Sequence, residues 1–329
     1  MDESDAVDIS FVVIGYNESA HLKKCLTSIK EINIEKISYE IIYVDGGSQD
    51  ESIKIAKETG VNSILGGDKR RRAAENRNLG FKNSKGRFIQ FLDGDMTLDS
   101  NWLQKAVSFL INHERIAAVC GEIKEMNQSV FYQALQIDWS ETEGEVAFCG
   151  GSAMWRRDTL EILGGFPETV AYGEEPYLCW RARNELGLKI YYLDHLMVNH
   201  NLDYSGFGDY WRRSVRCGET YAEIALLCRD SSDRLWSRIT ISNMIWSIIL
   251  ISALIILVCA PLCYKILTII FLSMVLFRKT FQTIKQDRKL TVSIFYALHV
   301  YFSKIPLALG ECLWFLKRIK QKAPDHQRV

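Results

Sequence analysis

Two carboxylates separated by a single residue, in Asp93-Gly94-Asp95, close a short apolar run. At a strand end such a pair can hold a hard divalent cation against a diphosphate. Asp-Gly is also common turn chemistry, so the letters alone leave a solvated turn open. Polar groups close other apolar runs in the same way: Tyr16-Asn17-Glu18 after the first, and Asp45 in Val44-Asp45-Gly46-Gly47-Ser48 after the second. Gly173-Glu174-Glu175 supplies adjacent carboxylates, the right groups for general-base work, although acids at a helix start also suit its positive dipole end. His200 follows a strand-like run, where a lone histidine is often structural. Trp211-Arg212-Arg213 with Arg216 offers cations to a phosphate, or an interfacial helix face.

These side chains need elements that bring them together. The apolar runs 9–16, 39–44, 62–65 and 87–92 read as buried parallel strands. Between them, Leu22, Leu26 and Ile29 share a helix face, with Asn17 or Ser19 available as its cap. Ser48 and Glu51 have capping-box spacing before a helix carrying Ile53 and Ala56, and 73–83 is a third helix. Strand alternating with helix predicts a doubly wound α/β domain, in which ligands sit at the carboxyl ends of the strands. All three polar clusters fall at such ends. A helix at 101–110, a strand at 116–123, the segment 148–155, a helix at 176–186 and a strand at 191–198 complete a second, mixed half.

The 329 residues carry no net charge, yet from Arg278 onward there are eleven basic residues against three acidic ones. An acidic body argues against nucleic acid as a partner, and a basic tail beside apolar segments suits an anionic membrane surface. Residues 239–260 hold 22 positions without a charge, enough to cross a hydrocarbon core of about 30 Å. Pro261 breaks this span, and 262–277 is a second apolar run, so a transmembrane hairpin is expected. The run 293–315 contains His299, Lys304, Pro306 and Glu311 between basic flanks, which favours an interfacial helix. The expected domains are therefore 1–238, catalytic; 239–277, a transmembrane pair; and 278–329, a basic interfacial region. Nine scattered cysteines without zinc spacing, and an acidic start without a signal-peptide core, place the catalytic part in the cytosol, at the inner face of a membrane.

Tyr16-Asn17-Glu18, Val44-Asp45-Gly46-Gly47-Ser48 with Asp50, Ala74-Glu75-Asn76-Arg77-Asn78-Leu79-Gly80 and Asp93-Gly94-Asp95 together resemble the ordered signature of family 2 glycosyltransferases of GT-A fold. The resemblance continues through Gly150-Gly151-Ser152, Gly164-Gly165-Phe166 and Gly173-Glu174-Glu175, over roughly residues 8–220. It implies that Tyr16, Asn17, Glu18 and Gly151 line a nucleotide-sugar pocket, that Asp45 meets the base, and that Arg77 lies near base or diphosphate. Asp93 would meet the ribose or a metal-bound water, Asp95 the metal, and His200 would complete its shell. Mg²⁺ or Mn²⁺ would balance the charge of the leaving diphosphate. Glu175 stands where the family has its catalytic base, usually an aspartate, with Glu174 beside it.

The processive Gln-x-x-Arg-Trp motif is absent from the sequence, so the resemblance implies transfer of one sugar with inversion. The expected donor is a UDP-sugar, and the expected acceptor a lipid-linked or glycan hydroxyl. A polyprenyl-phosphate glycosyltransferase and a non-catalytic nucleotide-binding scaffold are the competing readings.

Overall fold

The computed structural model describes residues 7–32, 37–170, 172–201, 204 and 206–322. The chain divides into two compact units: Met1–Met126, Trp139–Thr169 and Glu174–Leu202 make the first; Asn127–Asp138, Val170–Gly173 and Asp203–Val329 the second.

In chain order the elements are β1 (Ile9–Gly15), α1 (Leu22–Lys30), β2 (Tyr39–Asp45), α2 (Ser52–Thr59), β3 (Ser63–Gly66), α3 (Ala73–Lys82), β4 (Phe88–Asp93), β5 (Met96–Leu98), α4 (Trp102–Asn112) and β6 (Ile116–Glu125). After α5 (Val130–Gln136), which belongs to the second unit, come β7 (Gly144–Val146), β8 (Met154–Arg156), α6 (Arg157–Leu163), α7 (Glu174–Asn184) and β9 (Lys189–His200). The strands form one mixed sheet, ordered β3-β2-β1-β4-β8-β6-β9-β5, with β7 on β9. β1 to β4 pair in parallel, and β8 runs antiparallel to both β4 and β6.

All seven positions of β1 are buried, without alternation, because helices cover both faces of a parallel sheet. α3 lies directly on this strand: a Cβ on Gly80 would stand 2.3 Å from Val12 Cγ1, so only glycine allows the approach. β1 lies between β2 and β4, where the strand order reverses, and Gly15 pairs with Asp45 while Ile14 pairs with Asp93. That register sets the polar ends of three strands side by side at the crevice where such sheets bind ligands.

The loops after β1 and β2 differ from the expected caps. α1 begins on backbone alone, the amides of His21 and Leu22 donating to the Glu18 carbonyl at 3.0 and 2.8 Å. Asn17 instead adopts φ +58° and accepts from the Gln49 amide at 2.9 Å, while Ser48 Oγ accepts from the Asn17 amide at 2.8 Å. The capping box at Ser48 is therefore not formed; Glu51 is the N-cap of α2 and makes no side-chain cap, while Asp50 accepts from the Ser52 amide at 3.0 Å. These side chains are occupied in tying one loop to the other.

The second unit adds α8 (Phe207–Leu227), α9 (Leu235–Cys259), α10 (Leu262–Ile284), α11 (Leu290–Phe302) and α12 (Lys304–Lys322). Among the described residues, two runs are long and apolar enough to cross a membrane: Leu235–Cys259, mean hydropathy 2.4, and Leu290–Lys320, mean hydropathy 1.4. α10, starting after Pro261, lies outside these two and exposes Leu267, Ile270 and Phe277. Polar residues of the 290–320 run find partners within the unit, although Glu311 Oε2 is buried without one. Glu311, fully buried, accepts from Asn243 Nδ2 at 2.7 Å, and Lys304 Nζ donates to Asn243 Oδ1 at 2.8 Å. His299 bridges Tyr210 Oη and Asp138 Oδ2, both at 2.9 Å.

Asp50 yields a pH prediction. Partial burial works against its charge, but hydrogen bonds from the Ser52 hydroxyl and the Ser19 and Ser52 amides outweigh it and hold the carboxyl down to about 2. A depressed carboxylate stabilises the fold above its unfolded pKa of about 3.9, and that contribution is lost as pH falls towards about 2. Thermal melts across this window should show the wild type losing stability more steeply than Asp50→Asn.

Candidate active site

The crevice at the ends of β1, β2 and β4 is strongly acidic. Asp93 ends β4, and Asp95 lies in the two-residue turn leading to β5. β9 places His200 opposite Met96 and opposite Glu125 of β6, so the histidine reaches the turn from the far half of the sheet. His200 Nε2 is 3.4 Å from Asp95 Oδ2, and its Nδ1 is 3.5 Å from Glu125 Oε2. The Trp139 ring meets the imidazole edge to face, with centroids 5.9 Å apart. Burial works to lower the His200 pKa, but Asp95 and Glu125 outweigh it and hold it above its usual value. Glu18 faces the same charges, and burial together with Asp95 and Asp93 pushes its carboxyl up to about 7.

This donor set fits a divalent cation. Asp95 Oδ1 is buried without a hydrogen-bond partner, a costly condition for a polar atom, and its other oxygen faces His200 Nε2; the unpartnered Nδ1 of His200 lies on the Glu125 side. A cation between Asp95 and His200 would relieve the concentration of negative charge around them. Carboxylate oxygen with one imidazole suits Mg²⁺ or Mn²⁺, the nitrogen leaning to Mn²⁺. Asp93 is engaged elsewhere: its Oδ1 accepts from Arg77 at 2.9 Å.

Arg77, projecting from α3, is 5% exposed and lies inside the site. One nitrogen donates to Asp93 and the other to Glu174 Oε1 at 2.7 Å, joining the end of β4 to the first turn of α7. Gly151 makes room for it, since a Cβ there would stand 2.3 Å from an Arg77 terminal nitrogen. The neighbouring Asn78 holds the Gly164-Gly165-Phe166 turn through the Phe166 amide and carbonyl, at 2.7 and 2.8 Å. That glycine motif is therefore bound to α3.

The remaining expected residues take varied places. Tyr16 is 38% exposed, with the Arg70 guanidinium stacked 3.3 Å over its ring. Asp45 is fully buried, and both its oxygens accept from the Ser48 amide, at 3.1 and 2.8 Å. Asn17 stays exposed at the loop surface. Glu175 turns inward: Oε1 accepts from the Cys149 amide at 2.7 Å and the Cys179 thiol at 3.0 Å, and burial raises its pKa. In the second unit, Arg213 lies 5.9 Å over the Tyr204 ring and Arg216 5.9 Å over that of Tyr172. Arg70, Glu125, Trp139, Cys149 and Cys179 had no motif to announce them. Only the strand pattern of 116–123, extended by two residues, could have reached Glu125.

Gly151→Ala should force Arg77 from its two carboxylates. Overpacking at such a site costs about 1–3 kcal/mol. Breaking the buried ion pairs adds about 3–5 kcal/mol where the guanidinium finds no new partner. A lowered melting temperature together with lost nucleotide binding checks this, whereas an unchanged melt would mean that Arg77 yields freely.

Residues 10–179, just over half of the chain, match the sequence profile of Glycosyl transferase family 2. Glycosyltransferase AglE of Haloferax volcanii is 25% identical over 241 residues, covering 70% of this chain and 78% of the relative. A dolichyl N-acetyl-alpha-D-glucosaminyl phosphate 3-beta-D-2,3-diacetamido-2,3-dideoxy-beta-D-glucuronosyltransferase of Methanococcus voltae is 25% identical over 174 residues, 50% of this chain and 51% of the relative. Among solved structures, mannosyltransferase PcManGT of Pyrobaculum calidifontis, in complex with GDP-Man and Mn²⁺, superposes with a TM-score of 0.59 at 17% identity, over 95% of this chain and 87% of that one. The sheet is thus of GT-A type, and two apolar C-terminal runs are candidate membrane spans. The chain belongs to glycosyltransferase family 2.

Proposed function

We propose that this glycosyltransferase moves one sugar, with inversion, from a nucleoside-diphosphate sugar to a hydroxyl of a lipid-linked acceptor at the cytosolic face of a membrane. The observation that carries this reading is the acidic crevice at the strand-order switch, where Asp95 and His200 leave buried donor atoms without partners. The membrane-held acceptor rests on the two apolar runs of the second unit and on the lipid-phosphate acceptor that the Methanococcus relative's name states. The basic flanks of the C-terminal region favour the cytosolic side.

Asp95 and His200 would hold Mg²⁺ or Mn²⁺, with Asp93 beside them. When bound, the cation supplies positive charge to the leaving diphosphate. Arg77, fixed by Asp93 and Glu174, adds a guanidinium that needs no reorganisation during the reaction. Tyr16, Asn17, Glu18 and Gly151 line the donor pocket, and the fully buried Asp45 holds the β2 turn beneath it in shape. Glu175 takes the acceptor proton: its raised pKa suits a base, and Oε2 lies outside the contacts that hold Oε1. Glu174 positions Arg77. The nucleotide is UDP on the family resemblance, and GDP, present in the Pyrobaculum structure, is its rival.

Calorimetric titration of detergent-solubilised protein with UDP, GDP and dTDP should give Mn²⁺-dependent binding of UDP, weakened at least about tenfold in Asp95→Ala, or about 1.4 kcal/mol. Binding of none of the three would overturn the transferase reading in favour of a scaffold. Glu175→Gln should bind nucleotide normally and lose transfer by about 10²–10⁴-fold. Full activity in that variant would point to a polyprenyl phosphate, whose oxygen is already anionic and needs no base.

A further inference from the structure

Cys149, Glu175 and Cys179, all buried, present three potential ligand atoms within 4.8 Å of one another. Glu175 and Cys179 sit four residues apart on α7 and so share a helix face. Cys149 comes from the chain between β7 and β8, and its amide fixes Glu175 Oε1 at 2.7 Å. The two sulfurs are 3.5 Å apart, and Cys179 Sγ is 3.0 Å from Glu175 Oε1. Around a tetrahedral zinc, with Zn–S of about 2.3 Å and Zn–O of about 2.0–2.2 Å, ligand atoms stand roughly 3.5–3.8 Å apart. The sulfur pair already has that separation, and the carboxylate needs to open by about half an ångström. A buried free cysteine is usually an inert apolar filler. Here, however, two thiols crowd one buried carboxylate oxygen, which is no apolar environment.

We propose that Cys149, Cys179 and Glu175 form a binding site for a soft or borderline divalent cation such as Zn²⁺, and that occupancy withdraws the Glu175 carboxylate from the acceptor. The second half rests on the reading of Glu175 as the base. Binding converts both thiols to thiolates and releases two protons to solvent; the carboxylate is the third ligand and water the fourth. Thiolate ligands select against Mg²⁺ and Mn²⁺, so those ions stay out of this site, whereas Zn²⁺ also suits imidazole and carboxylate and Cys149→Ala separates its two places of action.

The test uses the full-length, detergent-solubilised protein, kept reduced and stripped of metal. Titration with Cd²⁺ should raise a thiolate-to-metal charge-transfer band that saturates at one equivalent and is lost in Cys149→Ala and in Cys179→Ala. No band in the wild type overturns the site, and an undiminished band in Cys149→Ala overturns it by assigning the metal to the exposed Cys259, Cys263 or Cys312. X-ray absorption on the Zn²⁺-loaded wild type needs no variant, and two sulfurs at about 2.3 Å with oxygen neighbours are expected. At fixed Mn²⁺, Zn²⁺ should cut transfer by the wild type about 100-fold or more, the share a general base supplies, and leave Cys149→Ala active. A band that saturates without inhibition keeps the metal site and removes Glu175 as base.

Discussion

Everything in the crevice hangs on one buried guanidinium. Arg77 reaches from α3 to two carboxylates, Asp93 at the end of β4 and Glu174 at the start of α7, and is 5% exposed. An isolated buried charge would be very costly, so neither acid can be replaced without stranding the other groups. The arrangement explains why sequence motifs far apart travel together. Gly151 must lack a Cβ because Arg77 passes there, and the next residue of the α3 motif, Asn78, pins the turn that leads towards α7.

The electrostatics then follow from an imbalance. Glu18, Asp93, Asp95 and Glu125 meet in and under the crevice, while Arg77 and His200 are the cations that face them. Two positive groups do not neutralise four acids, and the strain appears where it should, in a Glu18 carboxyl held up to about 7 by burial and by its aspartate neighbours. A site that lacks positive charge before substrate arrives is suited to accept a cation together with a diphosphate, whose own charge would be repelled without it.

The parallel half of the sheet was legible because its strands are short apolar runs ending in polar clusters, and each run expected in that half matches its strand to within about two residues, whereas the expected run 293–315 is divided between α11 and α12. What the sequence hid is long-range. Glu125 and His200 become neighbours only through the pairing of β6 with β9, and Trp139 meets His200 across sixty residues of chain. Local rules also misled at Ser48 and Asn17, whose cap-like spacing is overridden because each bonds the opposite loop, β1 to β2, rather than its own helix. The charge-poor run from residue 239 was plain from composition. The polar residues of the later run read as signs of an interface, since no local pattern reveals that Glu311 would find Asn243 on another helix.

That last pairing bears on how such a segment can enter a bilayer at all. A carboxylic acid in apolar surroundings is tolerated when its hydrogen bonds are supplied from within the protein, and Glu311 receives this at Oε1, its Oε2 being buried without a partner. Asn243 does this with both ends of its amide, donating to Glu311 and accepting from Lys304, so a single neutral side chain separates two ionisable ones. The Ser247 hydroxyl donates to the Lys304 carbonyl at 2.6 Å, one turn further along α9. Membrane helices gain little from apolar contact with each other, because lipid offers the same, and polar pairs of this kind fix which faces meet. The exposed positions of α9 and α10 can then be mostly apolar, as Ile248, Leu254 and Leu267 show. Specificity of packing is thus carried by the few polar residues, while the many apolar ones make α9 a candidate membrane span.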